Sequence, residues 1–158
     1  MEDSMRSSTF VTVAQPLPEL YLPFPEFFNA TRQLVSRTVA ALRSESDYII
    51  GVTRCPVNRM IGSSHYNYFR KGYRRMVVVA AHCSSLIAEL EKMMIQMHGP
   101  DGRCRNINPG GESIHSDGVG RFLYVTVAPK GLGNEDRSWY VHNRREAMIS
   151  LCEVGRDC

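Results

Sequence analysis

Three polar side chains stand where a packed domain does not require them. Arg59 lies one short helix after an apolar strand, Glu91 sits in the middle of a long helical pattern, and Asn106 falls in the loop just beyond it, ahead of Gly110 and Gly111. A guanidinium, a carboxylate and an amide brought together can clamp a phosphate and hold a divalent cation. Taken singly, Arg59 reads as a surface arginine and Glu91 as a solvent-facing helix residue. Their order and spacing are what give them a joint meaning.

A second set of residues suits a polyanion. The loop from residue 66 to residue 75 interleaves Tyr66, Tyr68, Phe69 and Tyr73 with Arg70, Lys71, Arg74 and Arg75. Aromatic faces stack on unpaired bases while cations meet phosphates. Arg54 and Arg105 lie close in sequence to Arg59 and Asn106 and join this candidate nucleic-acid-binding set. The net charge of +3 is unevenly spread: residues 48–130 carry eleven Lys or Arg against five Asp or Glu, a local +6, between acidic flanks of −2 and −1. Such a distribution is what a phosphate-binding surface leaves in a sequence, and a solvated basic face without a partner leaves the same one.

Other chemistries are poorly supported. His82, Cys83, His98, Cys104 and His115 match no compact zinc spacing, so zinc is not expected. The run from Asp101 to Asn108 lacks the ligand rhythm of a calcium loop. The chain contains no phosphate-loop or dinucleotide fingerprint and nothing resembling a nucleophile elbow.

The elements that must position these residues are legible in outline. Thr9-Phe10-Val11-Thr12-Val13 is a short β-like run, and prolines at 16, 18, 23 and 25 then mark residues 1–24 as an extended arm. Helical spacing runs from Pro25 to about Arg43, Tyr48–Thr53 is a strand, and Pro56 opens a short helix through Ile61. Met76–Ala81 is a buried strand, and Ser84 or Ser85 caps a helix to Met97 with Glu89 completing a capping box. Phe122–Val127 is a third strand, and residues 138–153 form a C-terminal helix. The expectation is an α/β (α+β) fold: a small three-stranded, mainly antiparallel sheet flanked by helices, with extra N- and C-terminal helices. Residues 25–130 form its single domain and residues 131–158 a helical extension. No run of 18 apolar residues exists, so no membrane span is expected. The first residues lack a signal-peptide layout, and five unpatterned cysteines point to a reducing, intracellular setting, nuclear or cytoplasmic.

The stretch from residue 48 to residue 111 resembles the GIY-YIG nuclease family. Ile50-Gly51-Val52-Thr53 is followed by Arg59, eight residues after the glycine. The strand Met76–Ala81 leads to a helix carrying Glu91 and Ile95, and Asn106 precedes Gly110-Gly111. The resemblance implies metal-dependent phosphodiester hydrolysis. In it Glu91 holds Mg²⁺ or Mn²⁺, Arg59 stabilises charge on the phosphate, Asn106 completes the site, and a tyrosine takes part in activating water. It also implies an endonuclease acting on nucleic acid, with DNA favoured over RNA. The chain departs from the family at its tyrosines. Ile49 stands at the second tyrosine position, and Tyr48, one residue away, points to the opposite face of the strand. The family's first strand is absent from its usual place, and Gly120–Tyr124 resembles that strand moved to the C-terminal side. Tyr124 is then the residue that supplies the phenol. Two alternatives stand beside the nuclease reading: a catalytically degenerate nucleic-acid-binding module on the same fold, and a protein-interaction domain docking through the helices at 25–43 and 138–153.

Overall fold

The architecture comes from a computed structural model that describes residues 11–42, 46–62, 67–107, 110 and 121–128. The C-terminal helix expected at 138–153 lies outside the described residues. Among the described residues, four strands and two α-helices follow in the order β1 (Val11–Val13), α1 (Phe24–Ala40), β2 (Asp47–Thr53), β3 (Arg75–His82), α2 (Leu86–His98) and β4 (Arg121–Ala128). A π-helical turn, Asn58–Gly62, lies between β2 and β3.

The class is α+β, and the sheet has four strands in the order β1-β3-β4-β2. The fourth strand is the correction to the expected three. Val11–Val13 pairs in parallel with Met76–Val78 of β3, and Ala14 N–H continues the ladder onto the Val78 carbonyl at 2.8 Å. Three residues carry too little alternation to reveal that they join a sheet. The other pairings, β3 with β4 and β4 with β2, are antiparallel. The last described strand therefore sits inside the sheet, between two earlier ones. Its residues from Arg121 to Val127 are all buried, which a strand covered on both faces requires.

Two apolar layers cover those faces. On one, Phe27, Leu34, Val35 and Val39 of α1 and Ile87, Leu90 and Met94 of α2 pack on Tyr48, Ile50, Val79, Leu123 and Val125. On the other, Val57, Met60, Ile61, Tyr68 and Phe69 pack on Met76, Val78, Phe122 and Tyr124. The helices thus flank one face, and the π turn with the loop after it closes the second. Residues of β4 alternate between the layers as the two-residue period demands. Tyr48 belongs to the helical layer and Tyr124 to the opposite one.

Local chemistry sets the helix ends. Pro23 precedes α1 and Pro25 occupies its first turn, where a missing N–H costs nothing. In α2 the expected capping box gives way to a simpler arrangement. Ser85 holds helical dihedrals and makes no side-chain cap bond, while Ser84 Oγ accepts the Leu86 N–H at 3.3 Å. No helix among the described residues is long and apolar enough to cross a membrane.

Strand β2 is the open edge of the sheet on the side of α2, and the loop after α2 covers it. Tyr48 N–H donates to the Arg103 carbonyl at 3.0 Å, and Arg105 N–H donates to the Tyr48 carbonyl at 2.8 Å. This pairing hides polar edge groups that another chain would otherwise meet. It also carries Arg105 and Asn106 to the same edge as Gly51 and Thr53.

Candidate functional site

A cleft of about 1130 Å³ runs along the β2 edge. Arg59, Glu91, Asn106 and Tyr124 all line it, together with Ile49, Gly51, Thr53, Asn58 and Gly110. They arrive from four separate places. Arg59 comes from the π turn after β2, Glu91 from the middle of α2, Asn106 from the loop after α2, and Tyr124 from the neighbouring strand β4.

Tyr124 reaches the cleft because its register partner is glycine. Gly51 pairs with Tyr124, and a Cβ on Gly51 would lie 2.6 Å from Tyr124 Cζ. The phenol therefore occupies the volume that a side chain at residue 51 would fill. Tyr124 is 2% exposed, and its hydroxyl donates to Tyr68 Oη at 3.2 Å. Burial pushes the Tyr124 phenol well above its usual pKa, with Tyr68 and Glu91 adding to the rise and Arg59 opposing it. Arg59 and Glu91 are thus both within electrostatic reach of this phenol. Held protonated, Tyr124 can orient a water but cannot act as an anionic base near neutral pH.

Asn106 is anchored to the sheet edge. Its Oδ1 accepts the Ile50 N–H at 3.0 Å, and its Nδ2 donates to the Ile50 carbonyl at 2.7 Å. The amide imitates a backbone unit and extends the ladder by one residue. Cys104 Sγ also donates to Oδ1 at 3.3 Å. Asn106 therefore fixes the loop that forms one wall of the cleft. Behind it, Gly110 holds φ +82°, and a Cβ there would lie 3.2 Å from Glu91 Cγ and 2.8 Å from Ile95 Cδ1. The glycine keeps open the space beside the Glu91 carboxylate.

The basic residues divide. Arg54, Lys71, Tyr73 and Arg105 line the cleft, whereas Arg70, Arg74 and Arg75 do not. Arg70 and Arg75 are exposed elsewhere. Arg74 donates to the Phe69 and Tyr73 carbonyls at 2.9 and 3.1 Å and lies 4.6 Å from the Phe69 ring centre, so its guanidinium organises the loop. Arg105 pairs with Asp47 at 3.1 Å, which places one carboxylate at the cleft wall beside the cations. Burial raises the Tyr73 phenol pKa as well.

Tyr68, expected only as a stacking aromatic of its loop, and Arg121, a strand residue with no expected site role, also line the cleft. Tyr68 sits in a loop with no periodicity, and nothing in the sequence says that its hydroxyl meets Tyr124. Arg121 opens β4, is 6% exposed and lines the cleft. A charged residue at the start of an apolar strand ordinarily points to water, so its burial leaves no signal in the sequence.

The donor set bears on which metal fits. Among the described residues no three His, Cys, Asp or Glu gather into a metal-holding group. Cys83 is disulfide-bonded, in contrast to the thiol state that a reducing setting implies, while Cys55 and Cys104 are free. One carboxylate, Glu91, with room kept beside it by Gly110, suits Mg²⁺ or Mn²⁺. Such hard ions retain water and complete their coordination with substrate phosphate oxygens.

Neither the family models nor the curated proteins nor the solved structures compared with this chain contain a match to it.

Proposed function

We propose that this chain is a divalent-metal-dependent endonuclease that hydrolyses phosphodiester bonds of nucleic acid, DNA in preference to RNA, in the β2-edge cleft. One observation carries the reading: Arg59, Glu91, Asn106 and Tyr124, chosen from sequence order and a family resemblance, line a single cleft. A bound Mg²⁺ or Mn²⁺ supplies Lewis-acid polarisation of the phosphate. Glu91 is the residue that holds it. Arg59 places a fixed positive charge beside the developing charge on the phosphate oxygens. Tyr124 presents a phenol oxygen to a water in the cleft. Asn106 keeps the wall in register, and Arg54, Lys71, Arg105 and Arg121 line the path of the backbone phosphates.

The test is incubation of plasmid and branched DNA with Mg²⁺ or Mn²⁺, with Glu91→Ala as control. Metal-dependent nicking in the parent, reduced by about a hundredfold or more in the variant, supports the reading. A parent that does not nick either substrate overturns it.

One observation favours a second reading. The Tyr124 phenol is buried and held protonated, which suits a module that binds nucleic acid without cutting it. Binding that falls steeply with salt, without nicking, distinguishes that module.

A further inference from the structure

The Tyr124 hydroxyl is not alone in its layer. Tyr68 Oη lies 3.2 Å from it, and the two rings meet edge to face at 6.1 Å between centres and 65° between planes. A phenol has one proton to donate and lone pairs that accept, so two phenols at this distance share one hydrogen bond. That bond takes up one side of the Tyr124 hydroxyl and leaves the other to face a water in the cleft.

Tyr68 is itself firmly placed. It is 8% exposed, and its N–H donates to the Arg59 carbonyl at 3.4 Å. Its own carbonyl receives the N–H groups of Lys71 and Tyr73, both at 3.0 Å. The next residue, Phe69, donates to the Met60 carbonyl at 3.0 Å, and Asn67 Nδ2 donates to the Ile61 carbonyl at 3.1 Å. The Tyr73 ring packs edge-on against Tyr68 at 5.2 Å, and Lys71 Nζ lies 5.6 Å from its ring centre. The loop is thus pinned to the π turn that carries Arg59, and Tyr68 spans the distance between the backbone of Arg59 and the hydroxyl of Tyr124.

The geometry points to Tyr68 as a positioning residue for the reaction proposed above: its hydrogen bond with Tyr124 fixes the orientation of the Tyr124 hydroxyl toward the attacking water. A phenolic hydrogen prefers the plane of its ring and has two orientations there. The Tyr68 hydroxyl, 3.2 Å away, favours one of them over the other. Tyr68 acts through Tyr124, and no contact between Tyr68 and the phosphate is needed. The inference rests on the nuclease reading of the cleft.

A double-mutant cycle on the full chain tests it. Tyr68→Phe keeps the ring and removes the hydroxyl. In the parent background, kcat for plasmid nicking with Mg²⁺ should fall about tenfold, the size of one lost hydrogen bond, with KM for DNA unchanged. In a Tyr124→Phe background the same change should have no further effect. A loss of equal size in both backgrounds, a loss confined to KM, or no loss at all overturns the inference. A parent that does not nick overturns the nuclease reading and this inference with it. The parent's own activity therefore tells the two failures apart.

Discussion

Gly51 and Tyr124 are register partners across β2 and β4, and the phenol of one fills the side-chain volume of the other. This relationship gives Gly51 a physical reason beyond chain flexibility. Gly51→Ala sets a methyl 2.6 Å from Tyr124 Cζ in a buried layer. The expected result is a loss of about 1–3 kcal/mol in stability, the usual cost of overpacking, measured by urea denaturation. Tyr124→Phe should not rescue it, because the ring carbon stays. Tyr124→Leu should, because the far end of the ring is removed. A Gly51→Ala chain as stable as the parent would show that the phenol moves freely.

Asn106 serves the sheet edge with both ends of its amide. Asn106→Asp keeps the acceptor for Ile50 N–H but loses the donor and sets a carboxylate against the Ile50 carbonyl. Asn106→Ala leaves both Ile50 groups without this partner. Each variant should lose about 1–3 kcal/mol, with the aspartate no better than the alanine. Urea midpoints check the order. An aspartate variant that matches the parent would mean that the Nδ2 donor is dispensable and that the residue serves through its acceptor alone.

These two residues also show what could be read in advance. Gly51, Arg59, Glu91 and Asn106 were legible because they fall in one stretch whose spacing can be counted. Asn106 was marked for phosphate or metal, whereas its amide is engaged with backbone, a difference that spacing cannot express. Tyr124 was reachable only by treating a late strand as displaced, and its neighbours in the sheet follow from long-range pairing. β1 shows in the sequence as a β-like run, but its place in the sheet rests on long-range pairing with β3, which a three-residue strand does not announce. Tyr68 and Arg121 escaped because the path of a loop and the burial of a strand's first residue depend on tertiary packing. The α+β class survived these omissions, since the helices and longer strands each bury a face that is visible in sequence.

Asp101 links stability to pH. Its carboxylate accepts from Arg103, which also pairs with it at 3.0 Å, and from the Tyr48 hydroxyl at 3.0 Å. The Arg103 hydrogen bonds come first among the causes that hold its pKa down at about 2. The folded value lies below the unfolded one of about 3.9. The contribution is therefore complete above that unfolded value and is lost as pH falls through about 2. The thermal midpoint of the parent should fall across this acid window, and the corresponding part of the fall should vanish in Asp101→Asn. Because the pair is partly exposed, added salt should weaken the effect. An unchanged acid profile in the variant would remove Asp101 from the account.

In the nuclease reading proposed above, Glu91 holds the metal and Gly110 keeps the space beside it. Glu91→Gln keeps the shape of the side chain and removes its charge. Nicking should be lost at every Mg²⁺ concentration, since an amide is a poor substitute for a carboxylate on a hard cation. Gly110→Ala differs in kind. Its φ of +82° costs an alanine about 1–2 kcal/mol, and the added methyl presses on Ile95 Cδ1 and Glu91 Cγ. The carboxylate is then displaced rather than removed. The expected signature is a rise in the Mg²⁺ concentration for half-maximal nicking, with activity recovering at saturating metal, alongside lower stability in denaturation. A Gly110→Ala chain that is destabilised while keeping the parent's Mg²⁺ dependence would place the metal away from Glu91, whose Cγ the added methyl meets. Loss of nicking in Glu91→Gln with a shifted Mg²⁺ requirement in Gly110→Ala would assign the ion to Glu91 from two independent directions, one chemical and one steric.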